Sequence, residues 1–407
     1  MIREGGIAMS THLLDVHVEG LKNFANNEFY VDFRNEKRVN EFELEEHVVT
    51  RLSGTNYRNN LMVFAGINAS GKTTALRLLD YILNVFISGE SLNNDHDILD
   101  FFTDEILMKL HFITNSKEVF EIEAKIVKEE SIFFFVEEVV KVKKIHNHES
   151  KKTLLDFKEY DEKFVRTLFE SSKLQFLKLD DSIFPAVRTD EKAYKTEYVI
   201  NTFKTTEFNY LAMSSSLDGD FIKYLDNSIE EFSTLKTNRK EIDYIPMFKI
   251  KFYNEKAIES SLLELQKYLS SGTIKALGVL NQVAIVLKNG GYLIIDEIEN
   301  HLNKIIVQNI MEIFQSELNY NGATLIFSTH YSEILDRVNR KDSIQILQRE
   351  SGKSTVKRLS TLAAAYKKDR TDIKNSDLIL SGIFGTAPSY TSYKKVRQVF
   401  KKEMGLN

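Results

Sequence analysis

The amino-acid sequence predicts an α/β fold: a mixed, largely parallel core sheet, with an antiparallel sheet and a helical region inserted into it. Three observations predict this. "LMVFAGINASGKTTALRLL" passes from a short apolar run through a glycine loop into a helical pattern. "GGYLIIDE" and "ATLIFSTH" are apolar runs of buried-strand type, separated by the helical "NKIIVQNIMEIFQSEL". Between these two regions, Ile106 to Val142 alternates apolar and polar residues over three runs joined by polar turns.

Taken in order, "LLDVHVEGLKNF" reads as a first strand and its exit, and the alternating "NEFYVDF" as a second. "LMVFAG", Leu61 to Gly66, is a third strand entering the glycine loop. In the helix that follows, Leu76, Leu79, Ile82 and Val85 share one face. In the alternating region, Phe120, Ile122, Ala124 and Ile126 point one way and Glu121, Glu123 and Lys125 the other, which predicts one wet face. Residues from about 155 to 245 read as mixed and mostly helical. Leu277, Leu280, Ala284 and Leu287 mark the buried face of a later helix. These readings divide the chain into four: 1–100, an N-terminal lobe with the glycine loop; 101–265, the inserted sheet and helical region; 266–340, a C-terminal lobe; and 341–407, a basic tail.

The chain has 407 residues, 43% hydrophobic and 28% charged, enough to bury a sizeable core. It has no cysteine, which excludes disulfides, thiol catalysis and cysteine zinc sites. No apolar run approaches the roughly 18 residues of a membrane span, and the start lacks the pattern of a secretory signal. The expected location is the cytoplasm, with no membrane partner. A net charge of −5 argues against a surface that coats nucleic acid throughout.

"GINASGKTT", Gly66 to Thr74, fits G-x-x-x-x-G-K-[ST] in full. Gly66 and Gly71 let the backbone wrap phosphate, and the amides of Asn68, Ala69, Ser70, Lys72, Thr73 and Thr74 supply donors at a helix N-terminus. Lys72 is placed to reach the β- and γ-phosphates and the Thr73 hydroxyl to bind Mg²⁺. "YLIIDEIENHLN" ends an apolar strand in Asp296 and Glu297. Asp296 suits the same Mg²⁺, and Glu297 suits a base that takes a proton from attacking water. His330 ends the next strand, where it can polarise the γ-phosphate. His146 and His148, in "IHNHES", have metal-ligand chemistry, but exposed histidines in a charged loop rarely bind metal.

Ahead of the acid strand, "KYLSSGTIKAL" sets small residues before an apolar helix. In the order glycine loop, small-residue loop, acid pair and histidine, the chain resembles the ABC-type ATPases, a P-loop superfamily that includes transporter ATPase domains, RecF, Rad50 and SMC proteins. The resemblance implies that Ser270, Ser271 and Gly272 form the signature loop, contacting the γ-phosphate held by a second subunit. It also implies ATP as the nucleotide and a homodimer or higher oligomer with ATP at the interface. Gln175, in "KLQFLKL", takes the place of the family's metal-sensing glutamine, and Arg188 is a candidate nucleotide or DNA contact or, equally, a surface arginine. Ser271, Thr273 and Asn303 depart from the transporter pattern. With "DEIENHL" and the opening "EGLKNF", they make the chain look more like the stand-alone AAA15/AAA21 group, which includes OLD-type and abortive-infection ATPases.

There is no C-x-x-C hook and no long heptad run, which argues against a Rad50-like coiled coil. From Arg340 onward there are 15 Lys and Arg against 6 acids, a balance of +9 that leaves −14 for the rest. "SYKKVRQVFKKE" is thus a basic segment that can meet DNA, RNA or an acidic partner, or simply be a solvated helix face. No recognisable effector module follows His330. The resemblance implies an ATP-hydrolysing switch, the sensor or scaffold of an antiphage system whose effector, a nuclease or toxin, is a separate protein. The alternatives are a DNA-repair ATPase of the RecF or SMC kind and, less in keeping with "LSSGT", a transporter subunit.

Overall fold

The architecture is that of a computed structural model, which describes residues 11–94, 96–146, 149–158, 161–168, 177–188, 198–203, 219–235, 247–261, 264–300, 302–368, 370, 373–384 and 390–405. The chain forms strands β1 (Thr11–Leu21), β2 (Glu28–Asp32), β3 (Val49–Ser53), β4 (Asn56–Asn59) and β5 (Leu61–Ala65), then helix α1 (Lys72–Leu83). Next come β6 (Phe102–Thr114), β7 (Glu118–Glu129), β8 (Ile132–Lys144), β9 (Glu162–Val165), β10 (Tyr198–Asn201), β11 (Ile229–Leu235), β12 (Met247–Phe252) and β13 (Ile258–Ser261). Helix α2 (Ser271–Asn289), β14 (Gly291–Ile295), helix α3 (Lys304–Phe314), β15 (Thr324–Thr329), β16 (Ile344–Glu350), β17 (Lys353–Arg358) and helix α4 (Tyr390–Glu403) complete the labelled elements.

Two six-stranded sheets carry the fold, in the orders β2-β1-β6-β7-β8-β9 and β10-β14-β15-β5-β16-β17. The second is the core sheet. Its strands β10, β14, β15, β5 and β16 run parallel, and β17 closes the edge antiparallel. Strand β5 shows why such strands are apolar throughout. Leu61, Val63 and Ala65 enter one hydrophobic core with α2 and α3, while Met62 and Phe64 enter the other. Helix α1 lies in that second core, where Leu76, Leu79, Ile82 and Val85 are buried with inward side chains of β1, β6 and β7. It is therefore sandwiched between the two sheets. The Tyr292 hydroxyl accepts from the Leu13 amide at 2.7 Å and ties one sheet to the other. Among the described residues no helix is long and apolar enough to cross a membrane.

The structure refines several sequence expectations. The antiparallel sheet takes in the N-terminal strands as well, because β1 pairs with β6 along its whole length, Thr11 with Thr114 through Leu21 with Phe102. The division at 100/101 thus cuts one sheet. The division at 340/341 cuts the core sheet, since β16 pairs with β5, Ile344 with Val63. The region around 155–245 is not mostly helical among the described residues. β9, β10 and β11 lie in it beside the short helices Phe184–Arg188 and Gly219–Leu225. Of these, β10 pairs with β14 some way along the chain, Tyr198 with Gly291, so no nearby partner announces it. On α2, Ala284 is exposed, and Val283 and Val286 continue the buried face instead. The outer face of the antiparallel sheet is not uniformly wet. His111, Asp15 and Glu121 are buried there, with the Phe157 ring stacked 6.2 Å from His111.

Candidate functional site

The glycine loop joins the end of β5 to the start of α1. Gly71 is the N-cap of α1 with φ +99°, a left-handed conformation that side chains rarely adopt. A Cβ there would lie 2.5 Å from Ser354 Oγ, and one on Gly66 would lie 2.5 Å from the Leu347 carbonyl. The two glycines therefore answer to tight neighbours as well as to chain reversal. Ala69 also has positive φ, +60°. The loop and the first turn of α1 present their amides to one cavity of about 260 Å³, lined by Asn68, Ala69, Gly71, Lys72, Thr73 and Thr74. Ser70 is buried beneath it.

Lys72 is buried, and its ammonium donates to the carbonyls of Gly66 and Ile67, both at 3.1 Å. Burial lowers its pKa, while Glu297, Asp296 and Glu299 pull it back up. A triphosphate, carrying several negative charges, would favour the charged form further.

The acid pair closes the opposite wall, 223 residues away in sequence. Thr73 Oγ1 donates to Asp296 Oδ2 at 2.7 Å. The other Asp296 oxygen accepts from Ser328 Oγ at 2.5 Å, and Ser328 Oγ in turn accepts the Glu297 amide at 2.7 Å. Ser328 thus couples β15 to the end of β14. Glu297 has φ +47°, an uncommon conformation that turns its side chain out of the strand's path. Its carboxylate meets His330 Nε2 at 3.1 Å and the Asn300 amide group on the other oxygen. Glu299 accepts the His330 backbone amide, so the histidine loop is braced by the same acidic turn. A hydroxyl and a carboxylate converging at the mouth of a phosphate cradle form an oxygen donor set suited to Mg²⁺.

Lys72, Thr73, Asp296, Glu297 and His330 are brought together. Ser270, Ser271 and Gly272 are not, since they start α2 on an exposed turn and do not line this cavity. Ser270 Oγ accepts the Thr273 amide at 3.0 Å as the N-cap of α2. Asn303 caps α3 in the same way, accepting the Ile306 amide. Arg188 does not line this cavity either. It is buried, and its guanidinium donates to Thr11 Oγ1 and to the Ile87 carbonyl, both at 3.1 Å. Gln175 and His148 lie outside the described residues, and among those that are described no His, Asp and Glu cluster could hold a metal ion. On the side away from β15, the acid strand is flanked by β10, with Asn201 opposite Ile294.

Four residues of the cavity wall went unread in the sequence: Asn23, Arg349, Gly352 and Ser354. Arg349 donates to the Ala69 carbonyl at 2.9 Å, and the Ser354 amide donates to the Asn23 carbonyl at 2.8 Å. Their one sequence signal was weak: Arg349 is the first charge after the apolar run "IQILQ", at a strand end.

A glycine loop feeding a helix, a buried lysine on the loop, and a threonine bonded to a strand-end carboxylate define a P-loop ATPase fold of the AAA/ABC type. The chain belongs to the family described as "AAA domain, putative AbiEii toxin, Type IV TA system", which matches residues 61–336. No curated protein matches it. Among solved structures, it is similar to the SMC head domain from Thermotoga maritima at 12% identity, covering 85% of this chain and 98% of that one, with a TM-score of 0.39. A second is an SMC head bound to the C-terminal winged-helix domain of ScpA: 10% identity, 88% and 99% coverage, TM-score 0.46. A third is the recombination mediator RecF with ATP: 12% identity, 87% and 100% coverage, TM-score 0.39.

Proposed function

We propose that the protein binds and hydrolyses ATP as a two-headed switch. The observation that carries this is the Thr73–Asp296 contact at 2.7 Å beside the Glu297–His330 contact at 3.1 Å, on one wall of the phosphate cradle. Lys72 and the loop amides hold the β- and γ-phosphates. Thr73 and Asp296 would hold Mg²⁺, which when bound would neutralise charge on the phosphates. Glu297 takes a proton from the attacking water, and His330, bonded to it, orients that carboxylate and faces the γ-phosphate side. Ser270, Ser271 and Gly272 of a second copy complete the site, so ATP joins two heads and hydrolysis releases them. Their exposure at the start of α2 supports the reading, because an exposed turn at a helix N-terminus suits a phosphate.

The biological role we propose is the ATPase sensor of an abortive-infection-like antiphage system acting with a separate effector. Family membership supports it. Glu297→Gln tests the mechanism: turnover should fall about 10²–10⁴-fold while ATP binding persists and a dimer accumulates. Near-normal turnover removes Glu297 as the base. Deleting the gene in its native host tests the role. Phage plating should rise, and unchanged plating defeats the defence reading while leaving the ATPase reading intact.

A further inference from the structure

Helix α4 presents every described side chain to solvent. Its residues divide by face. At helical spacing, Tyr393, Val396, Val399, Phe400 and Met404 fall on one side, with Glu403 among them and Arg397 at its edge, while Lys394, Lys395, Lys401 and Lys402 fall on the other. The apolar side is fully offered, from 50% exposure at Val396 to 69% at Met404. A 14-residue helix is at the margin of stability alone in water, where roughly 12–15 residues are needed. Its apolar side calls for a cover, and its five basic residues against one acid call for an acidic one.

The chain carries a surface of that description. On the outer face of the antiparallel sheet, Leu107, Ile132 and Val136 are 41%, 60% and 41% exposed. The register of β6, β7 and β8 places Val127 and Phe134 beside them on the same face. Asp104, Glu105, Glu129, Glu130 and Glu137 ring this patch, all exposed. Of the two lysines nearby, Lys125 is held by Glu105 at 3.0 Å and Lys128 lies over the Phe133 ring. Three strands span about 10 Å across, close to the diameter of a helix. Apolar patches rimmed by charge mark contact surfaces.

We infer that the occupant of this sheet face is α4 of a second copy. The contact joins two different surfaces of the same chain, so it is head-to-tail and leaves each copy able to accept a further one. Opposite charge adds to the fit: with the apolar side over Leu107, Ile132 and Val136, Arg397 flanks it on one edge and Lys395 on the other, where long side chains reach the acidic rim. Nucleic acid would match the lysines but leave the apolar side in water. This interface involves neither the glycine loop nor the signature turn, so it stands independently of the ATP-driven dimer.

Sedimentation velocity on the full chain without nucleotide, at low salt and over a concentration series, tests it. The wild-type mass should climb with concentration. Val396→Asp on the helix and Ile132→Lys at the sheet hairpin should each weaken self-association at least about tenfold. Both positions are exposed, so neither change disturbs the core. An equimolar mixture of the two variants should associate again, because one retains the sheet face and the other retains the helix. A wild type that stays monomeric overturns the inference, and so do variants that associate as the wild type does. A mixture that fails to recover overturns the head-to-tail contact in favour of a closed two-fold pair. Flotation of the wild type with anionic phosphatidylserine vesicles, without self-association, overturns it in favour of a membrane surface.

Discussion

Ser270 can be asked which of its two roles matters. In the folded chain its hydroxyl accepts the Thr273 amide at 3.0 Å and caps α2. In the proposed dimer the same turn meets the γ-phosphate of the other head. Ser270→Asp separates the roles, because aspartate caps a helix as well as serine does. Stability should therefore be unchanged. Ser270→Ala sets the scale for losing the cap: about 1 kcal/mol. With about 2.1 cal/mol/K of unfolding entropy per residue, that moves the melting temperature of a 407-residue chain only about 1 °C. The charge effect is far larger. A carboxylate about 4 Å from one phosphate charge, at an effective dielectric constant of about 20, is repelled by about 4 kcal/mol. That corresponds to a loss of about 10³-fold in ATP-driven pairing and turnover. The assay is steady-state phosphate release with calorimetry on the same sample. If Ser270→Asp melts like wild type and hydrolyses within about threefold of it, no phosphate of another head comes near Ser270. The two-headed site is then wrong.

Three further outcomes are expected. Gly71→Ala should destabilise the protein by roughly 1–3 kcal/mol from its left-handed φ alone and abolish binding of a fluorescent ATP analogue. Adding Ser354→Ala should recover only the part due to the 2.5 Å approach of Ser354 Oγ, and full recovery in urea unfolding would show that φ carries no strain. Arg349→Ala should weaken nucleotide binding about tenfold, with Arg349→Lys intermediate, because a charge-assisted bond is lost at the cavity wall; unaltered titrations would reduce Arg349 to a brace for the Ala69 carbonyl. His111 gives a pH dependence. Burial opposes its charge, but the hydrogen bonds it donates to Asp15 at 2.6 Å and Glu121 at 3.2 Å outweigh that and raise its pKa. A raised folded pKa means the stabilisation is complete below the unfolded value of about 6.5 and is lost as pH rises through the folded value. Wild-type melting temperature should therefore fall relative to His111→Gln on going from pH 6 to 9, and parallel curves would show that His111 is not charged in the fold.

The glycine loop, the acid pair and His330 were legible because each is a short contiguous pattern whose residue types suit phosphate and metal oxygen chemistry. The turn of Ser270, Ser271 and Gly272 stood out by its place in the order of motifs, yet its local form is an ordinary cap, and the role proposed for it belongs to a second copy. Ser328 was missed because a serine in "IFSTH" has no chemistry of its own until β15 pairs with β14 and brings its hydroxyl between Asp296 and the Glu297 amide. Arg349 was counted in the bulk charge of a tail, whereas β16 joins the core sheet and delivers it to a loop 280 residues earlier. Arg188 misled in the other direction: an arginine reads as a surface contact until packing buries it and backbone carbonyls satisfy it.

The sequence by itself determined the α/β class, the phosphate cradle and the identity of the catalytic candidates, because the loop–helix geometry and the side-chain chemistry are set within a few adjacent residues. Only the tertiary structure decided which strands share a sheet, where the lobes divide, and which side chains of the far wall face the cradle. Those choices rest on pairings such as Thr11 with Thr114 and Thr73 with Asp296. Backbone hydrogen bonds and burial across a hundred residues or more carry no local pattern for a sequence to display.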